Sequence, residues 1–97
     1  MSVEPTMERA VAVLRGMAYE HRLHILLLLR DGGRSPADLA ATMAVDTTSV
    51  AHHLRFLKDA RLVRRERRGR HVIYELHNEA TGQLIADVLR YAATPSG

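Results

Sequence analysis

Residues 35–60, which read SPADLAATMAVDTTSVAHHLRFLKDA, decide the fold because they contain two helix starts close together. The pair Ser35-Pro36 is typical of a helix start, since serine caps free backbone N–H groups and proline suits the first helical position. It predicts a short helix over about residues 36–43. After a tight turn, Asp46 or Thr47 can cap another helix over about 48–60. A short helix, a tight turn and a second helix predict a helix-turn-helix over about 36–60.

The second helix of this pair has one apolar face and one polar face. Its apolar residues recur at i, i+4 and i+7 and should face the core: Val50, Leu54 and Leu57. The outer face carries Thr47, Thr48, Ser49, His52, Arg55 and Phe56. Hydroxyl, imidazole and guanidinium groups hydrogen-bond to base edges and phosphates. The pattern therefore predicts that DNA is contacted by Thr47, Thr48, Ser49, His52 and Arg55.

A basic segment follows this helix directly. Two runs with strand character, 62–66 and 71–76, flank the sequence Arg67-Arg68-Gly69-Arg70, and the second run alternates between apolar and polar residues. This pattern predicts a β-hairpin over about 62–76, a wing, with Gly69 supplying the turn. Arginines at such a tip suit the phosphate backbone or a narrow minor groove, so DNA contacts are also predicted for Arg67, Arg68 and Arg70.

Three further helices complete the prediction. Apolar periodicity indicates helices over about 6–17 and about 20–30, and the latter is apolar on most sides, so we expect it to be the most buried. Asp31-Gly32-Gly33 ends it. Asn78 can cap a last helix over about 79–93. The predicted fold class is mainly α with a small β-hairpin, a single winged helix-turn-helix domain over 1–97 with four helices, two strands and a fifth helix.

The distribution of charge supports a nucleic-acid partner. The 97 residues carry 14 Lys and Arg against 11 Asp and Glu, a net charge of only +3. Between residues 55 and 70, however, eight cations meet two anions, giving +6 against −3 for the remainder. A basic segment on a mildly acidic body indicates a polyanionic partner, most often nucleic acid.

Composition also excludes several classes of function. The chain has no cysteine, so disulfides, thiolate metal sites and cysteine nucleophiles are excluded. It lacks a glycine-rich phosphate loop and a nucleophile motif, and we predict that it is not an enzyme. No apolar run exceeds five residues, as in Ile25–Leu29, and no signal peptide is visible. The expected location is the cytoplasm, without a membrane partner.

The chain resembles the ArsR/SmtB family of winged-helix repressors over nearly its whole length. The resemblance lies in residues 19–29, YEHRLHILLLL, in Asp38-Leu39-Ala40, in residues 49–63, SVAHHLRFLKDARLV, and in the wing 68–76. It implies a homodimer built on the first and last helices, about 6–17 and 79–93, and a hydrogen bond from His53 within the fold. It also implies regulation of transcription, with two recognition helices in successive major grooves of a pseudo-palindromic operator. The long apolar stripe of the last helix independently favours a dimer.

The resemblance raises the question of a metal, because family members commonly release DNA on binding one. A site with cysteines on the third helix is excluded here, and the positions that match a site on the last helix are not a ligand set: Asn78, Ala80, Tyr91 and Thr94. A non-standard Ni²⁺ or Zn²⁺ site remains open. Its candidates are the i, i+3 pair His21 and His24, and a site across the dimer that includes His77, Glu79 or the N-terminal segment. The alternative is that these histidines only pack on the dimer core.

Two other readings stay open from the residues alone. The winged helix could be a protein-interaction module, with its arginines docking an acidic protein. It could also be a regulator whose sensing is done by a partner protein.

Overall fold

The computed structural model describes residues 3–95 and contains five helices and one hairpin in the predicted order. The helices are α1 (Val3–Met17), α2 (Glu20–Leu28), α3 (Pro36–Met43), α4 (Thr47–Asp59) and α5 (Glu79–Ala93). The strands are β1 (Val63–Arg68) and β2 (His71–Leu76). Helix α1 begins before the predicted Thr6, and a 3₁₀ turn, Leu29–Asp31, completes the last predicted turn of α2.

The core lies between α2 and α4, and α2, which we expected to be the most buried helix, has two buried residues against four in α4. Ile25 and Leu26 are completely buried, and Leu29 is almost so. The other elements contribute fully buried aliphatic side chains to the same cluster: Leu39, Val50, Leu54, Leu57, Leu62, Val63 and Ile85. Burying such a side chain stabilises the fold by about 1.5–3 kcal/mol. These contacts fix α4 against α2 and thereby fix which face of α4 points outward.

Side-chain caps define the starts of α3, α4 and α5. The Ser35 hydroxyl accepts a hydrogen bond from the Asp38 N–H at 3.1 Å. The Asp46 carboxylate accepts from the Ser49 N–H at 2.7 Å, so Asp46 rather than Thr47 is the cap of α4. Asn78 caps α5 by accepting from the Thr81 N–H at 3.0 Å. Each cap satisfies a backbone donor that the helix leaves free and is worth about 1 kcal/mol.

The hairpin is tighter than the sequence indicates. Its antiparallel register runs from Val63 opposite Leu76 to Arg68 opposite His71, which leaves only Gly69 and Arg70 in the turn. Gly69 has φ +63°, as a type II′ turn requires at its first central position. The prediction that Arg67 and Arg68 lie at the tip is therefore wrong, since both belong to β1.

A bridge to the segment after α2 anchors the hairpin and was not predicted. The Arg34 N–H donates to the Tyr74 carbonyl at 3.0 Å, and the Tyr74 N–H donates to the Arg34 carbonyl at 2.8 Å. Gly33 lies so close to β2 that an added Cβ would be 2.5 Å from Cγ2 of Ile73. Gly33 therefore does more than end α2, since it allows the backbone to approach the wing.

Candidate nucleic-acid interface

The outer face of α4 presents most of its predicted DNA-contacting residues to solvent. Thr47, Thr48, His52 and Arg55 are exposed. Ser49 is half-buried, and both its N–H and its hydroxyl bond to the carboxylate of Asp46, at 2.7 and 2.9 Å. These two bonds, the backbone one first, lower the pKa of Asp46. The Ser49 hydroxyl is thus engaged in the cap, whereas the other four side chains are available.

A cleft of about 540 Å³ separates α4 from the wing. Arg55 and Lys58 line it from α4, and Arg65 lines it from β1, with Asp59 as the one carboxylate in the lining. Among residues 3–95, no ion pair involves any of these three cations. Three cations against one carboxylate in a concave site favour binding of an anion such as a phosphate.

The wing has two faces of different charge character, because successive side chains of a strand point to opposite sides. We call them the cleft face, which carries Arg65, Arg67, Val72 and Tyr74, and the paired face, which carries Arg64, Glu66, Arg68, Ile73 and Glu75. On the paired face, the Glu75 carboxylate binds the guanidinium groups of both Arg64, at 3.0 Å, and Arg68. Arg68 also lies 3.3 Å from the carboxylate of Glu66. The hydrogen bond from Arg64 is the main reason why the pKa of Glu75 is lowered.

The three predicted wing arginines therefore differ. Arg70 is exposed in the turn, without an ion pair in the described part of the chain. Arg67 is exposed and donates from Nε to the Gly69 carbonyl at 3.2 Å, which leaves its terminal nitrogens available. Arg68 is held between two carboxylates. Arg65 was not among the predicted contacts, although the alternation of β1 places it on the same face as Arg67.

Aromatic and imidazole rings form a cluster where α2 meets α4. His53 is 9% exposed, and its ring lies 5.1 Å from that of Tyr19 and 5.6 Å from that of His21. Its Nδ1 is buried with no hydrogen-bond partner among the described residues, so this atom does not make the hydrogen bond that the resemblance implies for His53. Burial, followed by the charge of Arg22, lowers the pKa of His53 and favours the neutral ring.

The candidate metal ligands do not converge within the chain. His21 is half-buried against His53, whereas His24 is exposed to solvent. His77 is half-buried after β2, and Glu79 is exposed in the first turn of α5. Across residues 3–95, no three His, Cys, Asp or Glu side chains lie close enough together to hold a metal ion. These residues therefore do not fit a metal site made by one protomer.

Exposed apolar side chains mark another surface on α1 and α5. Leu14 is 61% exposed and Met7 58%, and Val11 lies between them on the same side of α1. Tyr91 of α5 is 84% exposed. An exposed apolar stripe such as that on α1 is typical of a protein–protein interface. Within the described residues, no helix has the length and apolarity that crossing a bilayer would require.

Comparisons with known proteins agree with this geometry. The family model for the N-terminal domain of the methanogenesis regulatory protein FilR1 matches residues 11–92. The HTH-type transcriptional regulator NmtR of Mycobacterium tuberculosis is 31% identical over 84 residues, which are 87% of this chain and 70% of NmtR. KmtR of the same organism is 38% identical over 79 residues, 81% of this chain and 61% of KmtR.

A solved structure also matches this chain. It is a homodimeric winged helix-turn-helix DNA-binding domain from Mycobacterium bovis, described as a possible ArsR-family transcriptional regulator. It superposes with a TM-score of 0.88 at 27% identity and covers 95% of this chain and 86% of its own. The order of helices and hairpin predicted from the sequence is thus confirmed as a winged helix-turn-helix.

Proposed function

Because this chain belongs to the ArsR/SmtB family of winged helix-turn-helix transcriptional regulators, we propose that it binds operator DNA as a homodimer and so regulates transcription. The observation that carries the proposal is the cleft between α4 and the wing, lined by Arg55, Lys58 and Arg65. A phosphate of the DNA backbone in this cleft would dock α4 in the major groove and the wing beside it.

Within this arrangement, the exposed residues divide into two roles. Thr47, Thr48 and His52 lie on the outer face of α4 and contact base edges, together with Arg55 where it extends past the cleft. Arg65, Arg67 and Arg70 hold phosphates and contribute affinity without choosing a sequence. Arg68 contributes least, because Glu66 and Glu75 already neutralise it.

The proposed dimer uses the exposed apolar side chains of α1 and α5, Met7, Val11, Leu14 and Tyr91. Association removes these side chains from water, and the M. bovis domain with the same fold is homodimeric. Two-fold symmetry then requires an operator with two inverted half-sites, separated by about one helical turn or a multiple of it.

Selection of duplexes from a random pool by the 97-residue chain tests this proposal. We expect enrichment of a two-fold symmetric sequence, and His52→Ala and Arg55→Ala should each relax the choice at particular positions, by about 1–3 kcal/mol per base pair. Arg30→Ala is the matched control, because Arg30 is exposed in the 3₁₀ turn after α2 and outside the cleft. A folded dimer that enriches no sequence would refute the proposal and favour the protein-interaction alternative.

Metal responsiveness would need ligands from both protomers, since one protomer brings no suitable set together. Within the proposed dimer, the candidates remain His77 and Glu79 of each copy, with His21 and His24 as the second choice. Titration of Ni²⁺ and Zn²⁺ into the metal-free dimer, followed by calorimetry, decides this point. Absence of binding tighter than about micromolar would leave sensing to another ligand or to a partner protein.

A further inference from the structure

A second cavity, of about 570 Å³, lies between α1, α2 and α4, apart from the cleft. Its lining is mainly carbon, from the small residues Ala12, Gly16 and Ala60 and the ring of Phe56. Arg15, Arg22 and Asp59 add two cations and one anion at its wall. An apolar concavity of this size with a few convergent polar groups is typical of a small-molecule site.

Arg22 is fixed in position at the wall of this cavity. Its guanidinium carbon lies 4.8 Å from the ring centre of Phe56 and 5.2 Å from that of Tyr19, and one terminal nitrogen donates to the Arg15 carbonyl at 3.0 Å. Its Nε is buried and has no hydrogen-bond partner within residues 3–95. A buried donor without an acceptor costs free energy, which a shift of the side chain toward a bound acceptor would recover. An oriented guanidinium of this kind matches a carboxylate.

The stripe of α1 assigned to the proposed dimer points away from most of the cavity lining. The stripe on α1 consists of Met7, Val11 and Leu14. At 100° per residue, the cavity residues Arg15, Ala12 and Gly16 lie between roughly 70° and 170° around the helix axis from the centre of this stripe. Ala12 and Gly16 therefore lie on a different side of α1 from the dimer stripe, and Arg15 lies at the edge between the two.

One wall of the cavity belongs to the helix that we assign to DNA. Phe56 of α4 lines the cavity, and its ring lies 5.1 Å from the ring of His52 on the outer face of α4. A ligand that repacks Phe56 therefore disturbs a residue assigned to base contact.

From these observations, we propose that the cavity binds a small organic carboxylate. Its apolar body fills the space beside Ala12 and Phe56, its carboxylate pairs with Arg22, and its binding changes the affinity for DNA. The coupling to DNA rests on the proposed function, whereas the binding of the acid does not.

The test uses 2-naphthoate as the probe and 2-naphthamide as its neutral counterpart, titrated into the ¹⁵N-labelled dimer. We expect saturable shifts of the amides of residues 12–22 and 56–60, and at least about tenfold weaker binding of the amide, because the charge-assisted bond is lost. Equal affinity of acid and amide, or no shifts in these segments, would overturn the proposal.

Two variants locate the site. Ala12→Leu fills the cavity from an exposed helical position and should weaken 2-naphthoate at least about tenfold, whereas Ala37→Leu, equally exposed on α3, should not. Arg22→Gln should remove the preference for the acid over the amide. An undiminished affinity of Ala12→Leu for 2-naphthoate would overturn the assignment, because the acid would then bind outside this cavity. The same result is expected if the partner protomer covers the cavity.

Coupling is measured as the affinity of the selected duplex with and without saturating 2-naphthoate. We expect a change of at least about fivefold, which Ala12→Leu abolishes. An unchanged affinity for DNA with proven acid binding overturns the coupling. Failure to bind any DNA refutes the proposed function instead and leaves the acid titration as it stands.

Discussion

The two faces of the wing carry similar numbers of arginines but different amounts of available charge. On the paired face, Glu75 binds both Arg64 and Arg68, and Glu66 also contacts Arg68, so two cations meet two anions. On the cleft face, Arg65 faces Arg55 and Lys58 of α4 without an ion pair among residues 3–95. Net charge summed along a sequence therefore overstates what a phosphate can use, because register decides which cations are already neutralised.

The close packing of Gly33 against the paired face is the feature of the wing most sensitive to substitution. In Gly33→Ala the new Cβ would lie 2.5 Å from Ile73 and 3.0 Å from Glu75, so the wing must move. We expect a loss of about 1–3 kcal/mol, seen as a fall of several degrees in Tm in thermal denaturation. Gly82→Ala in α5 is the control, because its Cβ would meet Leu76 of β2 at an ordinary 3.6 Å. Its free energy of unfolding should rise by about 0.5–1 kcal/mol. Equal stability of the two variants would contradict this account.

Neighbouring arginines on opposite faces give the most direct comparison. Arg65→Ala should weaken DNA binding about tenfold and lower the salt slope by roughly one, because a phosphate contact is lost. Arg64→Ala should change the affinity for DNA less than about twofold, since Arg64 is already paired with Glu75. Fluorescence anisotropy across a range of salt concentrations measures both variants. If they lose the same affinity and slope, the distinction between the faces is wrong.

Glu75→Gln should convert the paired face into a second available one. Removing this carboxylate frees Arg64 and leaves Arg68 with Glu66 alone, so we expect DNA affinity to rise about threefold and the salt slope to steepen. Asp87→Asn, which breaks the ion pair with Arg90 on α5, removes the same charge away from the cleft. A gain of the same size in both variants would show a general effect of net charge rather than release of the wing arginines.

The smallest expected effect is a dependence of stability on pH. The pKa of Glu75 in the fold lies below its ordinary value of 4.5, chiefly because Arg64 donates to its carboxylate. Its stabilisation is therefore complete above pH 4.5 and is lost as the pH falls through the lowered value. Asp46 acts in the same direction from its ordinary value of 3.8. The free energies of unfolding of the wild type and of Glu75→Gln, measured by urea denaturation, should converge as the pH falls. A constant difference between the two at every pH would exclude the effect.

Local rules were sufficient for much of the fold. The caps Ser35 and Asn78 were predicted because each bonds within its own first turn, and the apolar stripe of α4 was predicted because the helical period is fixed. The bridge between Arg34 and Tyr74 could not be predicted in this way, since it joins segments forty residues apart in the chain.

The candidate site was predicted less completely than the fold. Thr47, Thr48, His52 and Arg55 follow from helix geometry and are exposed, but they remain predicted contacts. Arg65 was missed, and Arg68 was predicted as a contact without its two carboxylate partners, because both roles depend on hairpin register. A signal was present, since a two-residue turn at Gly69 places Glu75 opposite Arg64. The buried Nδ1 of His53 had no sequence signal, because burial depends on the packing of α2 on α4.

The bridge between Arg34 and Tyr74 also affects the thermodynamics of recognition. It ties β2 to the segment between α2 and α3, so the wing and the helix-turn-helix are held together before DNA arrives. Little ordering entropy then remains to be lost on binding, and shape mismatch must be met by bending of the duplex instead. We therefore expect operators for this protein to be selected partly for their flexibility, at base pairs that no side chain touches.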